Sequence, residues 1–394
     1  MFKSSKFKVQ GSKFRVSYPA FLVILAVLSP LSLLANQSEI AKWDPRMAVN
    51  NAVTDTNGVK WIDGKYLPIE GRAFDDTEHY YDRLPANVTT NVNAGVRGMK
   101  HHTAGMQFRF ITDSRKLTFK WVPWHTSLCS DNVLQIAMSG IDVYRQGKDG
   151  KWQYVRTGRI SSAKGATLSL GWVPGEPCLV NLPLYNGVRE FSLGIDESAS
   201  VRAMPPRGSG VNKPVVFYGT SITHGASASR PGLAFVNIVG RDLDVPVVNL
   251  GFSGSGVMEF EMSEHLARID ASCYVLDCLW NMSLKDKDRP GRSVERNYEK
   301  FIRNLRAKRP DVPIVMAEQC DVFMSGPNAK DLFMRKLYEK LVAEGWTNLV
   351  YLSKADMYTG DREGTVDGCH PNDWGMMSMS KAFGKAVKDA LRLR

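Results

Sequence analysis

From residue 211 onward the chain alternates two textures so regularly that few architectures remain open to it. Short apolar runs at 214–218, 245–249, 273–279, 312–317 and 348–352 read as buried strands. Helical patterns near 231–243, 259–268, 290–308, 328–344 and 373–391 follow them one by one. Strand and helix in strict alternation predict an α/β domain over 211–394, a parallel sheet with helices on both faces. Such sheets place their ligands outside the carboxyl ends of the strands, so the strand-to-helix turns are where chemistry is expected.

The first of these turns is Gly219-Thr220-Ser221-Ile222-Thr223-His224-Gly225, after the strand Lys213-Pro-Val-Val-Phe-Tyr218. A serine there is a nucleophile or a phosphate-loop hydroxyl. The phosphate loop needs a lysine before its hydroxyl residue, which is missing. The Gly-x-Ser-x-Gly elbow fails as well, because residue 223 is threonine. Three later stretches decide the matter. They are the glycine-rich turn of Val247-Val-Asn-Leu-Gly251-Phe-Ser-Gly254-Ser-Gly256, the strand end Leu279-Trp280-Asn281-Met282, and Asp367-Gly-Cys-His370-Pro371 before the final helix. In this order, over residues 213 to about 393, they resemble the SGNH (GDSL-like) hydrolases, named for a serine, glycine, asparagine and histidine in four separated blocks. Thr220 stands where the family usually has aspartate, and Trp280 and Met282 flank Asn281 where glycine and aspartate are commoner; the Asp-x-x-His block is intact.

The resemblance implies a flavodoxin-like sheet and a division of labour. An alcohol is a poor nucleophile at neutral pH, so Ser221 needs a base in reach, and His370 fills that role. Asp367 holds the other imidazole nitrogen and stabilises the imidazolium. The Ser221 amide, the Gly254 amide and the Asn281 side chain form the oxyanion hole, with glycine at 254 leaving room for close backbone approach. Trp280 and Met282, beside Asn281, are expected at the mouth of a short acyl pocket. Taken singly, each block has a plainer reading: Ser221 as a turn serine, Asp367-Gly368 as a turn, His370-Pro371 as a helix start, the glycine run as a nucleotide turn of the wrong spacing. Asn281-Met-Ser283 and Asn87-Val-Thr89 are also glycosylation patterns.

Residues 43–205 have another texture. Runs at 106–111, 117–122, 141–144, 152–155, 178–182 and 190–195 are broken by Gly147-Lys-Asp-Gly150, Pro174-Gly175 and Asn186-Gly187. Short strands with frequent turns predict an antiparallel β-sandwich, jelly-roll-like. Gly140-Ile-Asp-Val-Tyr144 is similar to a segment of the sandwich modules that precede some SGNH domains. Trp121, Trp124 and Trp172 are either core or a stacking surface for sugar rings. Ala199 to Gly210, rich in proline and glycine, reads as a linker.

Residues 1–35 carry Lys3, Lys6, Lys8, Lys13 and Arg15, no acid, and an apolar run from Phe21 to Ala35, the pattern of an export signal. The alternative is an uncleaved anchor. Without those five basic residues the net charge drops from +11 to +6, too mild and too scattered for a nucleic-acid partner. Cys129, Cys178, Cys273, Cys278, Cys320 and Cys369 are even in number, but Cys273 and Cys278, at odd spacing on one strand, face opposite sides. No second Cys/His cluster lies near Cys369-His370, so neither a metal nor a cofactor is expected. The whole reads as an exported serine esterase acting on a short acyl ester of a small molecule or carbohydrate, without stable membrane association once the signal is cleaved. An acyltransferase and a non-catalytic carbohydrate-binding protein are the alternatives on the same scaffold.

Overall fold

The computed structural model describes residues 52–88, 92–324 and 326–393. The expected export signal lies outside them. No helix among the described residues is long and apolar enough to cross a membrane.

The N-terminal β-rich domain is two antiparallel sheets, with strands numbered in chain order. One sheet runs β1 (Val53–Thr54), β2 (Val59–Asp63), β10 (Val188–Asp196), β5 (Lys116–Pro123), β8 (Ala166–Gly171). The other runs β11 (Val201–Ala203), β4 (Gln107–Thr112), β9 (Pro177–Asn181), β6 (Ile141–Gln146), β7 (Trp152–Gly158), with β3 (Ile69–Glu70) also on β4. Phe108, Phe110, Phe119, Trp121 and Phe191 fill the space between them. Trp121 and Trp172 are therefore core residues and offer no sugar platform, whereas Trp124 is half-buried at the domain seam. The stretch 199–210 is less of a linker than its composition suggests. Its first half is the edge strand β11, and Arg207 is tied to Glu70 and to Asp244.

The second domain has the strand order β13 (Val247–Gly251), β12 (Val215–Gly219), β14 (Cys273–Asp277), β15 (Ile314–Ala317), β16 (Leu349–Leu352), all parallel. This is the flavodoxin-like order, with its switch point beside β12. Alternate side chains of each strand enter opposite cores. Val216, Tyr218, Tyr274 and Leu276 lie with α5 (Phe260–Ala267), α6 (Val294–Lys308) and α7 (Ala329–Ala343). Val215, Phe217, Cys273 and Val275 lie with α4 (Phe235–Asp242) and α8 (Asp373–Leu391). Three one-turn or two-turn helices complete the set: α1 (Ala94–Gly98), α2 (Gln135–Ser139) and α3 (Ser221–His224). Cys273 and Cys278 fall in different cores, as their odd spacing requires, and all six cysteines are free thiols.

The two domains share material. Phe74, Leu84, Val92 and Val96, inside the stretch that reads as sandwich, are buried in the core of the parallel sheet with Tyr218, Leu250 and Met262. A second join explains Gly140-Ile-Asp-Val-Tyr144. Asp142, wholly buried, accepts from Arg230 Nη1 and from the Gly232 amide, both at 2.8 Å, and the Tyr144 hydroxyl meets Arg230 too. Arg230 and Gly232 belong to the loop that leads from α3 to α4.

Candidate active site

Strand β12 ends at Gly219 and the chain turns at once into α3, whose first residue is Ser221. The turn is sharp because both of its ends are capped. Thr220 Oγ1 accepts from the Ile222 amide, and Gly225, at φ +106°, closes the helix in the left-handed conformation that glycine tolerates best. From underneath, Thr223 Oγ1 donates to Asp277 Oδ2 at 2.6 Å and Asn249 Nδ2 donates to the Thr223 carbonyl at 2.7 Å. Ser221 is thus fixed at the carboxyl edge of the sheet, 8% exposed.

The structure brings the three far-separated polar residues together. Ser221 Oγ lies 3.0 Å from His370 Nε2, and His370 Nδ1 lies 2.7 Å from Asp367 Oδ2. The other carboxylate oxygen accepts from the His370 amide at 2.7 Å and the Cys369 amide at 2.9 Å, so Asp367 grips the ring and the backbone beneath it. Partial burial works against the Asp367 charge, but these hydrogen bonds outweigh it and hold the carboxyl below its ordinary range. With Nδ1–H given to an ionised carboxylate, Nε2 carries the lone pair that accepts the serine proton.

The turn after β13 closes over the serine. A Cβ at Gly256 would stand 1.9 Å from the Gly219 carbonyl oxygen, so only glycine lets this turn lie against the end of β12. Gly254 differs from its sequence-based rationale. Its requirement is conformational, φ +66°, and a Cβ there would meet no protein atom within 4 Å. Among the described residues the amides of Ser221 and Gly254 have no hydrogen-bond acceptor within the protein. The Asn281 carboxamide, 8% exposed, is oriented by its surroundings. Its oxygen fits the Ser255 and Gly256 amides at 3.1 and 3.2 Å, which leaves the NH2 free to donate. Met282, expected beside the pocket mouth, packs into the core at 3% exposed. Trp280 is half-buried, its indole N–H donated to the Cys320 carbonyl.

Several residues at the site have no motif to announce them, and most come from the β-rich domain. Asn132 Nδ2 lies 3.3 Å from His370 Nδ1, and Ser227 Oγ donates to the Asn132 carbonyl at 2.8 Å. The Tyr185 hydroxyl donates to the Ser221 carbonyl at 2.9 Å, while its ring stacks on His224 at 4.0 Å. His224 Nε2 faces His102 Nδ1 at 3.2 Å and Arg83 Nη2 at 3.4 Å. Arg83, fully enclosed, donates to the Asn249, Gly251 and Met99 carbonyls. Burial pulls its guanidinium down to about 9. Burial, then the adjacent Arg83 charge, holds His102 and His224 well below the ordinary histidine range, so both are neutral supports. The dipeptide His101-His102 and the aromatic Tyr185 were the only traces of this layer in the sequence.

Residues 212–388 match the model of the GDSL-like lipase/acylhydrolase family, and residues 59–201 match that of the N-terminus of SGNH-hydrolase-type esterases. The chain therefore carries a GDSL-like lipase/acylhydrolase domain, preceded by the N-terminal module of SGNH-hydrolase-type esterases. The chain is also similar, over its two domains together, to solved structures. One, described as a GDSL-like lipase of Bacteroides ovatus, is 29% identical, with 85% of this chain and 99% of that one covered and a TM-score of 0.72. A salicylyl-acyltransferase from a tetracycline biosynthetic pathway is 18% identical, with 86% and 100% covered and a TM-score of 0.68. A family two carbohydrate esterase of Clostridium thermocellum, solved with cellohexaose, is 12% identical, with 73% and 93% covered and a TM-score of 0.51. No curated protein matches the chain.

Proposed function

We propose that this GDSL-like protein is an exported serine esterase that removes a short acyl group, acetyl first among them, from a carbohydrate or small-molecule alcohol. The observation that carries the reading is the unbroken relay from Ser221 Oγ through His370 to Asp367, at 3.0 and 2.7 Å, on the ligand-binding edge of the sheet. Ser221 Oγ attacks the ester carbon while His370 Nε2 takes its proton. The oxyanion so formed meets the amides of Ser221 and Gly254 and the Asn281 NH2. His370 then protonates the departing alcohol, and a water molecule, deprotonated by the same nitrogen, releases the acid and restores Ser221. The carbohydrate assignment draws support from the two-domain likeness to an esterase solved with cellohexaose. Export draws support from the basic flank and apolar run of residues 1–35.

The test is a hydrolysis screen of p-nitrophenyl esters from acetate to octanoate, followed by acetylated glycans. Wild type is expected to cleave acetate best, with kcat/KM falling along the series. Ser221→Ala is expected to fold normally and lose turnover. Near-wild-type turnover in that variant would remove the mechanism, and rising kcat/KM toward octanoate would remove the short pocket alone. Acyl groups recovered on an added alcohol, with little free acid, would make the enzyme an acyltransferase. N-terminal sequencing of material from the native host should find a start near Asn36 in the exported fraction; Met1 in the membrane fraction would favour an anchor instead.

A further inference from the structure

Behind the site, on the β-rich side of the seam, three side chains converge that the proposed chemistry does not use. His101 Nδ1 stands 2.6 Å from Asp82 Oδ1, and His79 Nδ1 stands 3.5 Å from Asp82 Oδ2. One ligand atom from each, two imidazole nitrogens and a carboxylate oxygen, lie within 4.8 Å of one another. The Asp82 side chain is 2% exposed, yet among the described residues its only ion-pairing partners are these two imidazoles. Its other contact is the His79 amide, which donates to Oδ2 at 3.1 Å, so both carboxylate oxygens are turned toward the two rings. Both rings are held by Trp124, which stacks on His101 with centroids 4.3 Å apart and meets His79 edge-on at 4.4 Å. His79 is solvent-accessible, so an ion has a way in.

We propose that His79, Asp82 and His101 bind a divalent transition-metal ion, zinc before others, as a structural clamp. Two nitrogens and one carboxylate oxygen are a donor set that zinc takes in tetrahedral geometry, with water as the fourth ligand. Imidazole donors disfavour calcium and magnesium, which prefer all-oxygen shells. His101 and Asp82, now in hydrogen-bond contact at 2.6 Å, would part slightly to admit the ion between them. The placement says what the clamp holds. The residues that follow Asp82 and His101 enter the seam: Arg83 reaches the carbonyls of Asn249 and Gly251, and His102 meets His224 on the helix that begins with Ser221. An ion joining Asp82 to His101 therefore ties together the two segments that carry the supports behind that helix.

The inference does not depend on the esterase reading, because its readouts are metal content and melting temperature. Full-length, tag-free protein is dialysed against zinc, exchanged into metal-free buffer and measured by plasma mass spectrometry. One zinc per chain is expected in wild type, and its loss in His79→Ala and in His101→Ala. His79→Ala removes an exposed ring and keeps the circular dichroism of the wild type, so its metal loss cannot be ascribed to unfolding. EDTA is expected to lower the wild-type melting temperature by several degrees and to leave that of His79→Ala unchanged, since an ion that binds only the folded state stabilises it. Substoichiometric zinc in wild type, wild-type zinc content in either histidine variant, or an equal EDTA effect in wild type and His79→Ala would each overturn the proposal.

Discussion

Asn281 shows how much a single side chain depends on what holds it. Its carboxamide can present an NH2 to an oxyanion only because its oxygen is occupied by the Ser255 and Gly256 amides. Asn281→Ala should therefore lower kcat by roughly 10²–10³, the usual loss for one oxyanion donor, with little change in folding. Steady-state kinetics beside a melting curve check this, and an unchanged kcat would assign the residue to the turn alone. Asp277, one layer below, has no part in bond-making but titrates in a telling place. Burial pushes its carboxyl up to about 7 from the ordinary 3.8. Between those values the folded protein binds a proton that the unfolded chain releases. The resulting stability is therefore complete below 3.8 and is lost as the pH rises toward about 7. The gap corresponds to roughly 4 kcal/mol. Asp277→Asn cannot titrate, so the wild-type melting temperature relative to that variant should fall as pH rises from about 4 to about 7. Calorimetry of both proteins across that range measures it, and a constant difference would mean that Asp277 does not change protonation there.

At the scale of elements, what the sequence disclosed follows from how local each signal is. Buried parallel strands are continuous apolar runs, and all five were placed within two or three residues of their observed ends. The last helix matches its sequence-based span residue for residue, because Asn372 caps it and the apolar spacing is unbroken. The expected helix at 231–243 is instead a 3-10 turn, Pro231–Leu233, followed by α4, as the proline and glycine at its start dictate. The meeting of Ser221 with His370 and Asp367 is legible because the serine sits in one short motif and the histidine and aspartate share another. Asn132 and Tyr185 are not, since nothing within their own neighbourhoods in sequence records the contact with His370 or Ser221. Asp331 is an intermediate case. Its Asn-x-x-Asp helix start is readable, but its buried pairing with Lys354 at 2.7 Å comes only with the fold. Met282 is set near the pocket mouth only by its adjacency to Asn281, and adjacency does not fix direction: after the 3-10 turn Leu279–Asn281 its side chain packs into the core.

Across the whole molecule the β-rich domain is part of the site's construction. Arg230 is the clearest tie, an ion pair in which Asp142 is wholly buried and Arg230 is 18% exposed. Arg230→Ala would strand that carboxylate with only the Gly232 amide and Asn181 Nδ2 for company. A loss of about 3 kcal/mol is expected, with a fall in kcat as Asn132 and Tyr185 lose their seating. Urea denaturation and ester kinetics read both effects, and an unmoved midpoint would show that the domains are held elsewhere.

The burial of Phe74, Leu84, Val92 and Val96 under the parallel sheet bears on the order in which the protein is made. Synthesis runs from the N-terminus, so this apolar segment leaves the ribosome long before β12, β13 and β14, the surface that will cover it, exist. The sandwich core has all its strands once residue 203 has emerged, but the segment at 74–96 must wait. Until then it is an exposed sticky patch on a nascent chain, and any truncation that ends between the two domains keeps it exposed for good.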